Sequence, residues 1–595
     1  MDGTLQSLFA RFQNNDTWAG KCVDKIYQAA QNGAQEYVLT GLVGQDGVPV
    51  AVQNSTSWEM EDIWGISIGL CYTFCSRRAF PMVFNYQVFL SRTTNYLLPW
   101  LALTAQLPYE AGDIVPNIMS FFMSLGSPML LTFSLMMTIL NSRWLNRKCK
   151  NFECLYSDGP FATRLRSVRI FVEASQQVPI RMSCQGGWLP SLILLETNAR
   201  WWSRLSTHIL ATRREVTLSL VAQILVAVVA WVLTIVGSFG SSLGDHAEAL
   251  VLASSSLWTW LVPVICGWIT IGTQNKSDSI ESALRADRVG CAPNRSGGLT
   301  MEGIQTGFRV AIRDPTDSRN LLGFSVYGDE IQPGPVFNYA RIFTWRHTAR
   351  RLFSYFETAA ERFSDQKDLD LAKRISPPLT IQDLDDDIPR MSRYCGIPQG
   401  GELTEYPQSA ELDAEFWLHV MGAIMVAAFV QWGIAGPAIV IAYLTDVKGL
   451  GCRSGSYVLY AVLSTTSFIC FFTSILFSRA AMLHAQAQGP PAINGLFRGL
   501  SICALVMRLL GRIFAVCGAI WIILSSIWEL VGFFDNCWCE GTVLALGDKA
   551  WVALFKKAID LKENATGPWA GGVFMSSFVM GFTYCIFWLF CYNPR

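Results

Sequence analysis

The sequence predicts an all-α fold, a polytopic bundle of transmembrane helices joined by large loops. Of its 595 residues, 51% are hydrophobic and only 15% are charged, whereas soluble domains carry roughly a quarter charged residues. The apolar residues are grouped into long runs of about 20, the length that a helix needs to cross a bilayer. Because the 46 basic and 46 acidic residues cancel, no nucleic-acid partner is indicated.

Seven apolar runs predict membrane spans, because a helix satisfies its own backbone hydrogen bonds where water is absent. They are Val115–Leu140, Val216–Phe239, Ala249–Thr273, Ala414–Leu444, Ser456–Phe477, Leu509–Phe533 and Trp569–Tyr592. Two further runs, Ile63–Cys75 and Tyr96–Leu107, are only about a dozen residues long, which also suits buried or interfacial helices. We expect nine spans if both cross, or eight if one does.

Basic residues predict the orientation, since cytoplasmic loops accumulate Lys and Arg. The segment 141–215 opens with Arg143, Arg147, Lys148 and Lys150, so we place it and the C-terminus in the cytoplasm. The N-terminus is then exofacial if both short runs cross, and cytoplasmic if only one does. The predicted units are the tail 1–61, the spans of 62–140, the basic loop 141–215, the hairpin 216–273, the cytoplasmic loop 274–413, and the four-span bundle 414–595 with an exofacial loop 535–568.

Secretory-pathway features agree with a location in that pathway or in the plasma membrane. Glycosylation sequons begin at Asn15, Asn54 and Asn564 on the expected exofacial side, and a fourth, at Asn294, falls on the cytoplasmic side. Met1–Gln13 lacks the apolar region of a cleavable signal peptide. A first membrane helix is therefore expected to direct insertion.

Four of the 17 cysteines are expected on the oxidising side: Cys22, Cys452, Cys537 and Cys539. An even number permits two disulfides, for example one that ties the loop of Cys452 to the turn that holds Cys537 and Cys539. The remaining cysteines are expected to act as small hydrophobic residues or reduced thiols.

Ionisable residues inside predicted spans are candidates for a solute or ion pathway, because burying a charge in lipid is costly. Glu529 lies near the exofacial end of its span, where a carboxylate that reaches interfacial water is the alternative. Glu415 and His419 are one helical turn apart at the cytoplasmic end of another span. They could exchange protons, although a structural pair at the boundary is the interpretation that we favour.

The Ala414–Leu444 span carries Gln431, Gly433, Gly436 and Pro437 near its middle. Proline removes a backbone donor and glycine lets the chain bend, and broken helices of this kind expose backbone groups to substrates in transporters. A kinked helix that only packs is the alternative, and it is the preferred one. Pro263 predicts a weaker kink in the Ala249–Thr273 span.

Two cytoplasmic segments have amphipathic helical patterns with arginines on the polar side, 337–363 and 199–215. Each could lie on an anionic membrane surface or pack on the cytoplasmic ends of the spans. We favour the membrane surface for the second segment, which adjoins a span. The acidic run Asp383–Asp387 lacks the glycine and ligand spacing of a cation site, so no metal site is predicted.

Gly334–Arg341, followed by Phe343, Thr344 and Trp345, together with Trp260–Pro263 and Gly272–Gln274, resembles uncharacterised multipass membrane proteins of filamentous fungi. The resemblance covers the middle of the chain and contains no catalytic motif. It implies a fungal membrane protein and transfers no site residues.

Three function classes remain open. A transporter or channel for a small solute or ion comes first, because of the number of spans, the Gly–Pro segment and the polar residues within spans. A receptor or signalling scaffold comes second, with a soluble partner bound through 274–413. A membrane enzyme acting on a hydrophobic metabolite comes third, although no nucleotide-binding, metalloprotease or esterase motif is present. Membrane lipids are expected partners, and no cofactor is predicted.

Overall fold

The fold was examined in a computed structural model of the chain. It describes residues 9–12, 17–50, 63–75, 86, 89–90, 93–109, 114–156, 161–182, 188–195, 198–240, 246–273, 277–285, 308–310, 320–321, 324–325, 328–365, 388–398, 406–445, 447–488, 495–555 and 558–591.

The helices dominate the described residues. They are α1 Trp18–Ala29, α2 Gln35–Thr40, α3 Ile68–Phe74, α4 Leu98–Thr104, α5 Ile114–Gly126, α6 Pro128–Leu155, α7 Phe161–Ala174, α8 Trp188–Leu194, α9 Ala199–Ala211, α10 Leu218–Gly240, α11 His246–Ser256, α12 Leu261–Ile271, α13 Ser277–Arg285, α14 Ile342–Ser364, α15 Ile388–Cys395, α16 Ala414–Leu444, α17 Cys452–Gln488, α18 Gly495–Leu530, α19 Cys537–Glu540, α20 Val543–Leu546 and α21 Ala558–Cys591.

Short strands and tight helical turns complete the fold. The strands are β1 Leu42–Val43, β2 Gly65–Ser67, β3 Ile180–Met182, β4 Phe308–Val310, β5 Asn320–Leu321, β6 Phe324–Ser325 and β7 Trp551–Ala553. The 3₁₀ turns are Gly328–Ile331, Pro335–Arg341, Ser409–Glu411 and Gly547–Lys549, and the π-helical turns are Ala30–Ala34 and Thr93–Leu97.

The all-α class is confirmed, and the chain contains several helices that are long and apolar enough to cross a membrane. Within the described residues there are six, or seven if α5 and α6 count as one bent span. They are Leu218–Gly240, Val251–Ile271, Ala414–Leu444, Cys452–Ala487, Gly495–Leu530 and Thr566–Cys591. The Val251–Ile271 helix lies at the centre with 89% of its apolar window buried, whereas the windows in α10 and α21 are only 22% buried.

The short run Ile63–Cys75 does not span, which corrects the first of the two marginal assignments. It forms β2 and the seven-residue helix α3, too short for the roughly 30 Å of a bilayer core. Its apolar side chains are instead buried against the N-terminal segment and β7. The composition of an apolar run this short does not tell whether the run is buried in a protein core or in a membrane.

The second short run, Tyr96–Leu107, contains α4, which follows directly on the π-helical turn Thr93–Leu97, and the described residues here give no helix of spanning length. Its helical turn Thr93–Leu97 packs against α11, and Gln106 lies beside α10, where its side chain donates to Gln223 Oε1 at 2.6 Å and its carbonyl accepts from Arg214 Nη1 at 3.0 Å. This segment therefore reaches the arginine-containing ends of the bundle helices.

We call one end of the bundle the disulfide-bonded end. There β2 pairs with β1 on one side and with β7 on the other, and the three disulfides are Cys22–Cys75, Cys71–Cys537 and Cys452–Cys539. All four predicted cysteines are disulfide-bonded, and two more, Cys71 and Cys75, serve as partners. Sequence reasoning missed this pair because they lie in the run that we assigned to a span.

The opposite end is the arginine-rich end, where α6 continues beyond the bundle and packs with α7, α8, α9, α14 and α15 in a second hydrophobic core. Trp202 is fully buried and donates from Nε1 to Leu192 O at 3.0 Å. Phe353 and Phe356 of α14 are also buried. Both amphipathic segments therefore bury their apolar faces in protein, and our preference for a membrane-surface helix at 199–215 was wrong. An amphipathic pattern requires an apolar neighbour but does not specify lipid.

Candidate functional site

The most unusual feature of the bundle is the break between α5 and α6, where the chain turns by 100°. α5 ends at Gly126, Ser127 has a non-helical backbone with φ −136° and ψ 74°, and Pro128 begins α6. The ring of a proline disfavours helical geometry in the preceding residue, and proline suits the first position of a helix. The Ser-Pro pair therefore ends one helix and starts the next within what the sequence presents as one apolar run, Val115–Leu140.

The break lies against the middle of α18. A Cβ added at Gly126 would lie only 1.8 Å from the carbonyl oxygen of Ala515, and one added at Gly518 would lie 2.9 Å from the carbonyl oxygen of Gly126. Glycine at these two positions lets the two backbones approach closely, as small residues do at helix contacts in membranes.

Replacing Gly126 with alanine is expected to destabilise the protein by about 1–3 kcal/mol, because a methyl group would force the break away from α18. Thermal unfolding of the purified protein measures the effect. Gly237→Ala in α10 is the matched control, since nothing lies within 4 Å of its added Cβ; we expect it to be neutral or stabilising by up to about 1 kcal/mol. Equal midpoints for the two variants would contradict the close approach.

Buried hydroxyl groups and one amide surround the break. Tyr460 OH donates to Leu125 O at 2.8 Å, and Ser127 Oγ donates to Ser464 O at 3.2 Å. The Ser464 hydroxyl donates in turn to Gln431 Oε1 at 2.8 Å. The side chains of Ser127, Ser464, Tyr460 and Gln431 are all buried. Polar groups in such surroundings cost free energy unless they are hydrogen-bonded, and here Tyr460 supplies a donor to the carbonyl of Leu125 at the end of α5.

We call these residues the mid-depth network, because they lie near the middle of the long helices. Ser464 is 12 residues from the start of α17 and Ala515 is 15 residues from the end of α18, or about 18 Å and 23 Å at 1.5 Å per residue. Four elements, the α5–α6 break and helices α16, α17 and α18, meet there.

An ion cluster lies on the disulfide-bonded side of the network. Arg453 donates to Glu529 Oε2 at 3.0 Å, to Asp535 Oδ1 at 2.7 Å and to Glu540 Oε1 at 2.7 Å. Arg453 and Glu529 are buried. The guanidinium thus joins α17 to the end of α18 and to α19. A cavity with room for about one water molecule adjoins it, lined by Arg453, Glu529 and hydroxyl groups that include Ser254, Ser456, Ser525 and Ser526.

A second ion cluster lies on the arginine-rich side. Asp329, in the turn Gly328–Ile331, accepts hydrogen bonds from Arg512 and from the hydroxyl of Tyr339. Burial opposes ionisation of Asp329, but Arg512, Arg508 and the Tyr339 hydroxyl together hold the pKa of this carboxyl below its usual value. Burial next to Asp329 raises the pKa of Tyr339 well above the usual value. Asp329 is therefore an ionised carboxylate beside the neutral phenol of Tyr339.

The two clusters are separated by about the thickness of a bilayer core. Arg508 and Glu529 are 21 residues apart in α18, about 32 Å at 1.5 Å per residue, compared with about 30 Å of hydrocarbon. Between Leu509 and Trp528 the only charged residue is Arg512, and residues 454–477 of α17 have none. Helix α18 therefore carries one ion cluster at each end of its apolar segment, with the mid-depth network between them.

The structure places the pathway residues that we predicted from sequence at three separate sites. Gln431 belongs to the mid-depth network and Glu529 to the cluster of Arg453. Glu415 lies at the arginine-rich end, 2.6 Å from Arg147 and 3.4 Å from Arg346, with His419 at 3.8 Å. Glu415 and Gln431 are 16 residues apart, or about 24 Å along α16, so they do not form one site.

Of the two interpretations of the Gly–Pro segment, the broken helix is wrong, because α16 runs without interruption from Ala414 to Leu444 with Pro437 inside it, as the preferred packing helix requires. A Cβ at Gly433 would meet the Val579 side chain at 2.6 Å, whereas one at Gly436 would meet nothing within 4 Å. Gly433 therefore lets α21 pack closely on α16. The broken helix is elsewhere, and the Ser-Pro pair at 127–128 was its only sequence signal.

None of the three glycosylation candidates has a side chain among the described residues. Asn15 and Asn54 lie outside the described residues, and Asn564 falls in α21 at a position whose side chain is not described. Sequence reasoning also missed Asp329 and Arg453. These two residues lie outside the apolar centres of the predicted spans, so their hydropathy gave no reason to select them.

Arg341 and His347 are buried titratable residues at the arginine-rich end. Arg341 donates to the carbonyl oxygens of five residues, Gln176, Gln177, Glu330, Gln332 and Gly334. Burial lowers its pKa to about 10, so it is still charged at neutral pH. Burial, with Arg351 nearby, lowers the pKa of His347 to about 4, so this histidine is neutral there.

No family model, curated protein or solved structure matched this chain. The geometry of the chain itself is therefore the basis for its proposed function.

Proposed function

We propose that the protein is a multipass membrane transporter or channel for a small polar solute or ion, and that its pathway passes the mid-depth network. The observation that carries this proposal is the helix break at Ser127, near the middle of helices long enough to span. Irregular backbone at membrane depth is tolerated only where it is buried in protein or lines a polar cavity. Discontinuous helices with exposed backbone groups form substrate sites in transporters.

The contacts of α5 and α6 support a re-entrant arrangement. The preceding segment reaches Arg214 through Gln106, α5 packs on the turn Pro335–Arg341, and α6 leaves toward Arg147. Both helices therefore approach the break from the arginine-rich end. The pair would enter the membrane from that side, turn at Ser127 and leave again.

The proposed orientation places the disulfide-bonded end outside and the arginine-rich end in the cytoplasm. Disulfides persist in oxidising compartments, and basic residues accumulate on the cytoplasmic side. Because Cys71 is bonded to Cys537, the N-terminal segment and the 535–568 loop must be on the same side. The apolar side chains exposed on α10 and α21, such as Leu225 and Phe578, are then suited to contact lipid.

The two ion clusters would act as gates in this scheme. Arg453 with its three carboxylates closes the outer boundary, and Asp329 with Arg512 closes the inner one. Each adjacent cavity has room for only about one water molecule, which in this scheme would be the closed state. Passage of a solute would require the cluster on one side to separate while the other holds, which is alternating access.

A test is the accessibility of Ser464 to water. In a variant in which every cysteine outside the three disulfides is replaced by serine, Ser464→Cys is treated in vesicles with a membrane-impermeant, charged thiol reagent. An open state populated at about 0.1–10% should let the reagent reach this buried position slowly but completely. We expect the Ser464→Cys thiol to be modified from either side of the membrane. Mass spectrometry at successive times measures the modified fraction.

Ser576→Cys in α21 is the matched control, because Ser576 is as fully buried as Ser464 but, among the described residues, donates only to Gly572 O of its own helix, at 3.0 Å. It should stay unmodified. Two outcomes would contradict a pathway through the mid-depth network. In one, neither cysteine is modified; in the other, Ser464→Cys is modified from one side of the membrane only.

A receptor is the second candidate, favoured by the disulfide-bonded module around β1, β2 and β7. Its three cross-links would give a rigid exofacial surface for a ligand. In that case Ser464→Cys stays unmodified, and a ligand added to the outside changes the exposure of residues at the arginine-rich end.

A further inference from the structure

The inner cavity contains an arginine whose hydrogen-bonding capacity is largely unused. Arg508 of α18 lines it with Asp329, Tyr339, Tyr406 and Ser478, and only 8% of Arg508 is exposed. Among the residues that the structure describes, its guanidinium makes one hydrogen bond, to Ser478 Oγ at 3.3 Å, and no carboxylate lies within 4.0 Å. A guanidinium carries five N–H donors, so its remaining donors require an acceptor that the cavity must supply.

The neighbouring carboxylates are engaged by other groups. Asp329 is ion-paired with Arg512 and accepts from Tyr339. Glu330 accepts from the hydroxyls of Thr344 and Tyr406. Arg508 therefore faces the cavity beside two carboxylates that are hydrogen-bonded to other groups.

The described residues of this cluster carry excess positive charge. Three arginines, Arg341, Arg508 and Arg512, lie with two carboxylates, Asp329 and Glu330. Even with both carboxylates ionised, three positive charges less two negative ones leave a net charge of +1. Arg341 donates only to carbonyl oxygens and so does not neutralise a carboxylate by direct contact. A buried charge is stable only when it is paired and hydrogen-bonded, which favours a mobile anion over water.

We infer that this cavity is a binding site for one chloride-sized monovalent anion, coordinated by the guanidinium of Arg508 and the hydroxyl of Ser478. The cavity limits the size of the anion, because it has room for about one water molecule. A halide ion is only slightly larger than a water molecule. Carboxylate or phosphate solutes would not fit without opening the cluster. The inference goes beyond the proposed transport, because the anion would bind whether or not anything crosses the membrane.

The backbone of the turn Gly328–Ile331 holds the guanidinium in the cavity. A Cβ added at Gly328 would lie 1.9 Å from Cζ of Arg508, and the residue has φ +61°, a conformation that favours glycine. Gly328→Ala should therefore displace the guanidinium while keeping the charge of the protein unchanged. This substitution therefore changes the position of the guanidinium without changing the charge of the site.

The test measures thermal unfolding of the purified full chain while chloride is exchanged for gluconate at constant ionic strength. A ligand that binds only the folded state raises the midpoint logarithmically with its concentration. We expect chloride and bromide to raise the midpoint relative to gluconate, and the rise to disappear in a variant that lacks the site. A midpoint that does not depend on the identity of the anion would overturn the inference.

Variants assign the effect to the cavity. Arg508→Gln and Gly328→Ala should both abolish the chloride dependence. Arg479→Gln should retain it, because Arg479 is adjacent to Ser478 in sequence but donates to Pro407 O and Ser409 Oγ outside the cavity. Should the first two variants not fold, anomalous scattering from bromide in wild-type crystals replaces them, and absence of a peak beside Arg508 rejects the site. Chloride dependence with an inert Ser464→Cys would reject only the transport proposal.

Discussion

Replacing Arg453 with methionine is expected to lower the free energy of unfolding by about 3–5 kcal/mol, as removal of one partner from a buried ion pair does. The guanidinium is bonded to Glu529, Asp535 and Glu540 at once. Without it, three carboxylates would repel each other at the boundary, and Glu529 would be left as a buried charge. The midpoint of thermal unfolding in detergent measures the loss.

The matched control is Arg147→Met, since Arg147 also pairs with a glutamate, at 2.6 Å, but its side chain is 54% exposed. Exposed pairs contribute about 0–1 kcal/mol, so this variant should unfold near the wild-type midpoint. A double variant, R453M with Glu529→Gln, should recover part of the loss because it removes the buried carboxylate charge. Equal effects of R453M and R147M would show that the outer cluster is solvated.

Removing the Cys71–Cys537 disulfide is expected to destabilise the protein by roughly 2–5 kcal/mol, the usual effect of losing a native bridge. The bond joins residues 466 positions apart and fixes α3 to α19 beside the pairing of β2 with β7. Both cysteines should be replaced by serine together, because the sulfurs of Cys22, Cys71 and Cys75 lie within 4.8 Å of one another, and a lone Cys71 thiol could exchange with the neighbouring bridge.

Thermal unfolding and limited proteolysis of the N-terminal segment measure the loss of this disulfide. Cys154→Ser, which changes an exposed free cysteine, is the control and should be neutral. A double serine variant with wild-type stability and protease resistance would mean that strand pairing alone holds the module together.

Hydropathy predicted most long helices, because a run of about 20 apolar residues has few other uses. It did not predict the break at Ser127, since serine and proline hardly lower the mean hydropathy of their run. It also misassigned Ile63–Cys75, where a protein core replaces the membrane. Trp202 and Phe356 show the same ambiguity, because an apolar face requires burial but does not specify what covers it.

The candidate site was predictable only in part. Gln431 could be selected as an amide inside a span, but its partner Ser464 could not, because serine is common in membrane helices. Asp329 belongs to a segment that we treated as a cytoplasmic loop. In the structure this segment packs against α18, where Asp329 pairs with Arg512. Charge clusters formed by distant segments, such as Asp329 with Arg512 or Arg453 with Glu540, require the tertiary structure.

The pairing of β2 between β1 and β7 has a consequence for biosynthesis. At about 5–20 residues per second, the ribosome needs roughly 23–93 s to add the 466 residues that separate Cys71 from Cys537. During that interval one edge of β2 lacks its neighbour β7 and Cys71 lacks its native partner. An unpaired strand edge invites association with other chains, so the N-terminal part of the nascent protein is exposed to wrong strand pairing and wrong disulfides until Cys537 and β7 have been made.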